Sequence, residues 1–291
     1  MNRPSILSGS WYPKTARECQ QEIERFRKAT PPPGKKEPGG IGGIVPHAGW
    51  FFSGQIACEV IDRLGETGSP DAVILFGSHL HPKSRPTIMA KGVWDTPLGP
   101  LEIQKELAAE LIRHFDFQQE GPVRFSTDNT MEVQLPFLKN RFPSSRILPI
   151  GAPPNPLSLE IARACVTTAQ TMGLHVIVLG STDLTHYGPN YNFTPQGRGE
   201  SALAWVKREN DRRMIEAILA MDPERIIREA LRDQNACCSG AAAAAIEAAR
   251  NLGADTATLL SYTTSYDRHP SDSFVGYAGI LLHSLHPCNL D

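Results

Sequence analysis

The amino-acid sequence predicts an α/β fold in which a central, mostly parallel or mixed sheet is covered by helices on both faces. Three observations lead there. Short apolar, β-branched runs such as Val73-Ile74-Leu75-Phe76 and Val176-Ile177-Val178-Leu179 alternate along the chain with helical patterns. Those runs are continuous rather than alternating, as strands buried on both sheet faces are. Three of them also lead into a histidine-bearing segment: Pro46-His47-Ala48-Gly49, Gly77-Ser78-His79, and Ser181-Thr182-Asp183-Leu184-Thr185-His186. Open α/β sheets gather functional groups outside the carboxyl ends of their strands, so this layout points to one pocket. The 291 residues suffice for a single domain, 1–291, with a full core.

Taken in order, apolar residues at helical spacing predict a helix from Thr15 to about Ala29, stopped by Pro31-Pro32-Pro33-Gly34. The polar Pro/Gly/Lys stretch through Gly40 reads as a loop. Strand 41–46, helix 53–64 and strand 71–77 follow, then a strand near 86–90, a hairpin around Asp95 to Pro100, and helix 104–114. Helix 130–140, strand 145–150, helix 157–172 and strand 174–180 continue the alternation. The segment 187–199, rich in Gly, Pro and Asn, has the length and turn chemistry of a loop that covers a site. Helices 200–220, 223–232 and 239–251 come next. The last contains Ala241 to Ala245, small residues that favour helix and let neighbours approach. Strands near 256–263 and 274–283 complete the sheet.

Composition excludes several classes of function. A formal net charge of −2 provides no electrostatic footprint for nucleic acid or for an anionic membrane surface, so neither is expected as a partner. The first residues lack an apolar signal core, and no run approaches the roughly 20 apolar residues of a spanning helix, so a cytoplasmic protein is expected. The six cysteines show no CxxC spacing, which fits reduced thiols. GxGxxG, GxxxxGK[ST] and GxSxG motifs are absent.

The candidate chemistry gathers at the three strand ends. A lone His47 beside a small-residue turn is more often a structural hydrogen-bonding residue than a ligand. A second imidazole, His79, at an equivalent strand end makes a metal pair equally plausible. Cys238 stands just ahead of the Ser239-Gly240-Ala241 helix start, where the dipole and free amides favour a thiolate. Its neighbour Cys237 better suits the role of a small buried hydrophobe. Asp183 and His186 share one short turn; the carboxylate can fix the imidazole's tautomer for acid or base work, or Asp183 can cap a helix start with His186 solvated. Glu132 reads as a carboxylate that orients a ligand histidine or as a surface salt-bridge residue. His81 is a lesser alternative to His79. Trp11, Tyr12, Trp50, Phe51 and Phe52 line a pocket or, as such residues more often do, fill the core.

Read together, these segments resemble the Memo family, in its bacterial and archaeal branch, the AmmeMemoRadiSam system protein B. The matching pieces are Gly9-Ser10-Trp11-Tyr12, PHAGW at 46–50, GSHLHP at 77–82, WDTPLG at 94–99, EVQLPFL at 132–138, STDLTHYG at 181–188, Asn235 to Cys238, and Ser273 to Gly279. They span nearly the whole chain in the family's order. The resemblance implies a domain similar to class III, LigB-like extradiol dioxygenases, which bind non-haem Fe(II). It implies His47, His79 and Cys238 as metal ligands, His186 as acid or base, and Asp183 beside it. Cys238 stands where the dioxygenases carry a glutamate, and a thiolate brings Cu(I) or zinc into competition with Fe(II). Redox or oxygenase chemistry on a small-molecule substrate is the expectation that follows. The chain departs from the family pattern at Asn129, where a histidine is common, and at Ser239, where a glycine is.

Two other readings stand beside this one. The family's link with an AMMECR-type protein and a radical SAM protein implies a metal-binding adaptor without turnover of its own. A metal-free hydrolase or transferase, with Cys238 as nucleophile, His186 as base and Asp183 as orienter, fits the residue types but leaves His47 and His79 without a role.

Overall fold

The computed structural model describes residues 2–30, 39–121 and 123–285. The loop predicted through Gly40 lies outside them apart from its last two positions, as does Cys288. The chain opens with strand β1 (Asn2–Arg3) and helix α1 (Ala16–Ala29). A capping box starts α1: the Thr15 hydroxyl accepts the Glu18 N–H, and the Glu18 carboxylate accepts the Thr15 N–H. Strand β2 (Gly40–Val45), helix α2 (Trp50–Leu64) and strand β3 (Ala72–Gly77) follow. Next come β4 (Thr87–Met89), β5 (Val93–Trp94), β6 (Leu101–Glu102), α3 (Lys105–His114) and a short strand the sequence did not predict, β7 (Gln118–Glu120).

The helix expected over 130–140 is two helices, α4 (Asn129–Glu132) and α5 (Leu135–Arg141). Pro136 has no N–H to continue a helical ladder and sits in the first turn of α5, where none is needed. At the break, the Gln134 amide donates to the Pro46 carbonyl at 2.8 Å. Strand β8 (Arg146–Gly151), helix α6 (Pro156–Thr171), strand β9 (Val176–Ser181) and a two-residue strand β10 (His186–Tyr187) come next. The helix expected over 200–220 is likewise split into α7 (Glu200–Trp205) and α8 (Asp211–Leu219), around a π-helical turn at Val206–Asn210. That turn buries Asn210, whose amide donates to Thr185 Oγ1 and to the Asp233 carbonyl. The chain continues through α9 (Pro223–Asp233), α10 (Ser239–Asn251), β11 (Thr256–Thr264), α11 (Ser265–Arg268) and β12 (Phe274–His283).

Four strands, β2, β9, β3 and β8, lie side by side and parallel, with Gly42 opposite Val178 and Ala72 opposite both Val176 and Arg146. On one side β12 runs antiparallel to β2, and β10 and β11 both run antiparallel to β12. On the other, β4 is antiparallel to β8 and β7 parallel to β4. The result is the expected mixed sheet, nine-stranded among the described residues and helix-covered. The predicted hairpin forms as β5 and β6, which join β1 in a separate three-stranded sheet.

Side chains alternate across a strand, so the continuous apolar runs feed two cores. Ile74, Phe76, Ile150 and Val178 point to the layer of α3, α6, α8, α9 and α10. Val73, Leu75, Ile147, Ile177 and Leu179 point to the layer of α1, α2 and α5. Each fully buried aliphatic side chain contributes about 1.5–3 kcal/mol. Helix α10 sits especially close to the sheet: a Cβ on Gly180 would lie 2.7 Å from Ala245 Cβ and 2.9 Å from the Ala241 carbonyl oxygen. Its alanine run permits that approach, which holds the start of α10 against the strand ends. No helix among the described residues is long and apolar enough to cross a membrane.

Candidate metal centre

Strands β2, β9 and β3 are neighbours, so their carboxyl ends deliver His47, Asp183 and His79 to one place. The chain around His47 is pinned on three sides. Its N–H donates to Asp183 Oδ1 at 2.7 Å, its carbonyl accepts from the Asn129 amide at 3.2 Å, and the preceding carbonyl accepts from Gln134. The imidazole is buried, with Nδ1 3.0 Å from Ser181 Oγ and Nε2 3.2 Å from Cys237 Sγ. His79 follows Ser78, which has a φ of +70°, a left-handed backbone that a serine adopts only when held there. Thr130 Oγ1 accepts the Ser78 N–H at 2.7 Å, and Asp128 accepts the Ser78 hydroxyl. The two imidazoles then meet nearly edge to face, centroids 5.0 Å apart.

The start of α10 completes the group. Cys238 N–H donates to Thr182 Oγ1 at 3.1 Å and Cys237 N–H to the Asp183 carbonyl at 3.2 Å. Donor atoms of His47, His79, Cys237 and Cys238 all lie within 4.8 Å of one another. Three of these four, His47, His79 and Cys238, are the residues singled out as ligands from the sequence. Cys237, read there as apolar filler, stands in the same cluster, its sulfur surrounded by polar groups.

Burial opposes a charged His47, but the Asp183 carboxylate and Cys237 outweigh it and raise the imidazole's pKa to about 9. Burial also works against a Cys237 thiolate. The hydrogen bond between the two cysteine sulfurs, together with His47, overcomes this and holds Cys237 well below the ordinary thiol range. Burial, and then Cys237 itself, push Cys238 well above it. Asp183 is raised by burial, against the pull of His47. These directions favour negative charge on Cys237 over Cys238 and positive charge on His47, a balance that a bound cation would reorganise.

Asp183 Oδ2 lies 3.9 Å from His47 Nε2, so this carboxylate faces His47, and it also feels the charge of His186, the partner the sequence suggested. His186 lines the same cavity with its ring against Tyr191, centroids 4.9 Å apart. His47 Nε2 thus lies within hydrogen-bond range of the Cys237 sulfur, and His79 bonds to the same sulfur. Glu132 neither orients a histidine nor reaches the surface. It is buried and accepts from the Leu7 N–H at 2.7 Å and the Tyr12 hydroxyl at 2.9 Å, tying the N-terminal segment to α4. His81 is exposed and accepts the Lys83 N–H at 3.2 Å.

A cavity of about 490 Å³ opens over the cluster, lined by His47, His79, Asp183 and His186 with Trp11, Phe51, Phe52, Tyr191 and Tyr277. The aromatic residues of the sequence motifs divide: Trp11, Phe51 and Phe52 wall the cavity, whereas Tyr12 and Trp50 are buried in the core, Trp50 stacked on Phe137 at 4.1 Å. Tyr191 comes from the expected covering segment. Asn129 lines the cavity too.

The segment that carries Asp183 and His186 is held from behind by Asp211. This buried carboxylate accepts the Thr185 N–H at 3.0 Å and the Tyr262 hydroxyl at 2.7 Å. Burial outweighs both bonds and pushes its pKa up to about 6. The folded value lies above the unfolded one of about 3.9, so the stability from this group is full below that pH and is lost as pH rises through about 6. A shift of about two units corresponds to about 3 kcal/mol. Wild type is therefore expected to lose about that much stability relative to Asp211→Asn between about pH 4 and pH 7. Urea unfolding of both proteins reads it, and a pH-independent difference would contradict the assignment.

The family profile of Memo-like proteins matches residues 3–281. A MEMO1 family protein of Pyrobaculum arsenaticum is 33% identical over 294 residues, covering 97% of this chain and 99% of its own. A MEMO1 family protein of Methanopyrus kandleri is 33% identical over 293 residues with the same coverage, and one of Pyrococcus abyssi is 32% identical over 292. Among solved structures, an uncharacterized protein of Escherichia coli K12 shares the fold with a TM-score of 0.52 at 11% identity, over 82% of this chain and 98% of that one. Motif order, strand-end cluster and end-to-end similarity agree: the chain belongs to the Memo family.

Proposed function

We propose that this chain is a non-haem metal-binding protein that holds iron(II), with copper(I) or zinc as competitors, through His47, His79 and Cys238. In this reading it performs redox or oxygenase-type chemistry on a small molecule in the adjoining cavity. The observation that carries the reading is the convergence of two imidazoles and two thiols to within 4.8 Å at the base of a cavity. Imidazole and thiolate are donors for first-row transition ions, and His47 has its Nδ1 engaged by Ser181, as ligand imidazoles use their second nitrogen. A bound ion there would supply a Lewis-acidic or redox-active centre.

The protein's own groups have separate tasks. Ser181 and Asp183 fix the orientation of His47 and offset charge around it. His186 lines the cavity, where its imidazole can hold or pass a proton to a bound molecule. Trp11, Phe51, Phe52 and Tyr191 provide walls for an apolar body. The test is metal analysis of chain purified anaerobically and reconstituted with iron(II), copper(I) or zinc. One tightly held ion per chain, weakened in Cys238→Ser and retained in His186→Ala, is expected. Absence of stoichiometric uptake of any of the three would overturn the reading.

A further inference from the structure

We infer that Cys237 is a fourth donor, so that the ion is held by His47, His79, Cys237 and Cys238 as a set of two imidazoles and two thiolates. The inference rests on the metal-binding reading above and assigns a residue that the sequence places among the fillers. Adjacent side chains of an extended strand point to opposite sides. Here Cys238 takes φ −128° and ψ 52° at the start of α10, and the turn of the chain leaves the two sulfurs 3.8 Å apart in one cluster.

The two distances from the Cys237 sulfur suit a shared ion. A tetrahedral zinc with bonds of about 2.3 Å to sulfur and about 2.0 Å to nitrogen has edges of about 3.8 Å between sulfurs and about 3.5 Å between sulfur and nitrogen. Cys237 Sγ lies 3.8 Å from Cys238 Sγ and 3.2 Å from His47 Nε2. The surroundings of this sulfur suit an anionic ligand rather than a packed thiol, because the Asp183 N–H donates to it at 3.3 Å. The Cys237 N–H donates back to the Asp183 carbonyl, and the Cys238 N–H to Thr182 Oγ1, so the cysteine pair is clamped to the end of β9. The Asn235 amide, which donates to the Asn210 carbonyl at 3.0 Å, secures the approach to the pair.

The consequence concerns which ion is held and how open it is. A second thiolate softens the donor set and favours zinc or copper(I) over iron(II), compared with the same set carrying one. A tetrahedral ion with four protein donors keeps no free position, whereas a six-coordinate ion keeps two.

X-ray absorption at the zinc edge of the reduced, zinc-loaded full chain counts the sulfurs directly. Two sulfurs at about 2.3 Å and two nitrogens at about 2.0 Å are expected in wild type. In Cys237→Ser, one sulfur is expected, with zinc affinity lower by about tenfold or more. A single sulfur in wild type, or an unchanged sulfur count in Cys237→Ser, overturns the inference while leaving the metal-binding reading intact. A wild-type chain that takes up no zinc, copper(I) or iron(II) overturns both. The wild-type count stands even if the variant fails to fold.

Discussion

His47→Ala is expected to lower metal affinity by at least about a hundredfold, the upper end of what loss of a mere supporting contact costs. The variant removes a donor atom and also strands what that imidazole organises: Ser181 loses its partner on Nδ1, and Cys237 loses the Nε2 contact at 3.2 Å. It leaves the buried Asp183 carboxylate without the imidazole at 3.9 Å. Breaking a buried pair of this kind costs roughly 3 kcal/mol, so the metal-free variant should also unfold at lower denaturant. His79→Ala should reproduce the loss of metal with little loss of stability, because His79 is exposed. Competitive titration against a chelator and urea unfolding read the two effects separately. Full metal affinity in both variants would remove His47 and His79 from the site.

Gly240→Ala is expected to destabilise the fold by the upper end of about 1–3 kcal/mol or more, and to weaken metal binding with it. A Cβ at this position would lie 2.3 Å from the Ala152 carbonyl oxygen and 2.5 Å from the Pro153 carbonyl carbon. Both are backbone atoms just beyond β8 and have no rotamer into which to retreat. Relief must come from a shift of α10, and Gly240 is two residues from Cys238, so the displacement falls on the thiols. Gly121→Ala is the matched control: a Cβ there meets nothing within 4 Å, and stability should stay level or rise slightly. Equal unfolding midpoints for the two variants would show that α10 is not seated as described.

Much of this architecture was legible from local pattern. Continuous apolar runs marked β2, β3, β8 and β9 because strands buried on both faces need no polar alternation. The same logic drew His47, His79 and Asp183 to one end of the sheet, since side chains that leave parallel strands at their carboxyl ends have nowhere else to gather. Alanines at 241–245 announced a tightly seated helix, and α10 is one. Two helix breaks escaped notice. The pattern over 130–140 is helical on either side of the break, and only the reach of Gln134 to Pro46 shows why the chain turns there. Within 200–220, the π turn serves the polar contacts of Asn210 with Thr185 and Asp233, and periodicity does not register an inserted residue of that kind.

The sequence by itself determined the fold class, the family, and three residues of the cluster, because periodicity and strand-end position are local properties written into neighbouring residues. The tertiary structure alone decided the environments. It turned Cys237 toward His47, bonded Asp183 to the His47 N–H as well as placing it near His186, and sent Glu132 to Tyr12 and Leu7. It also separated the cavity aromatics Trp11, Phe51 and Phe52 from the core aromatics Tyr12 and Trp50. Each of these depends on partners far away in the chain. Residue type states what a side chain can do, and the packing of distant elements fixes which partner it meets and whether water is excluded there.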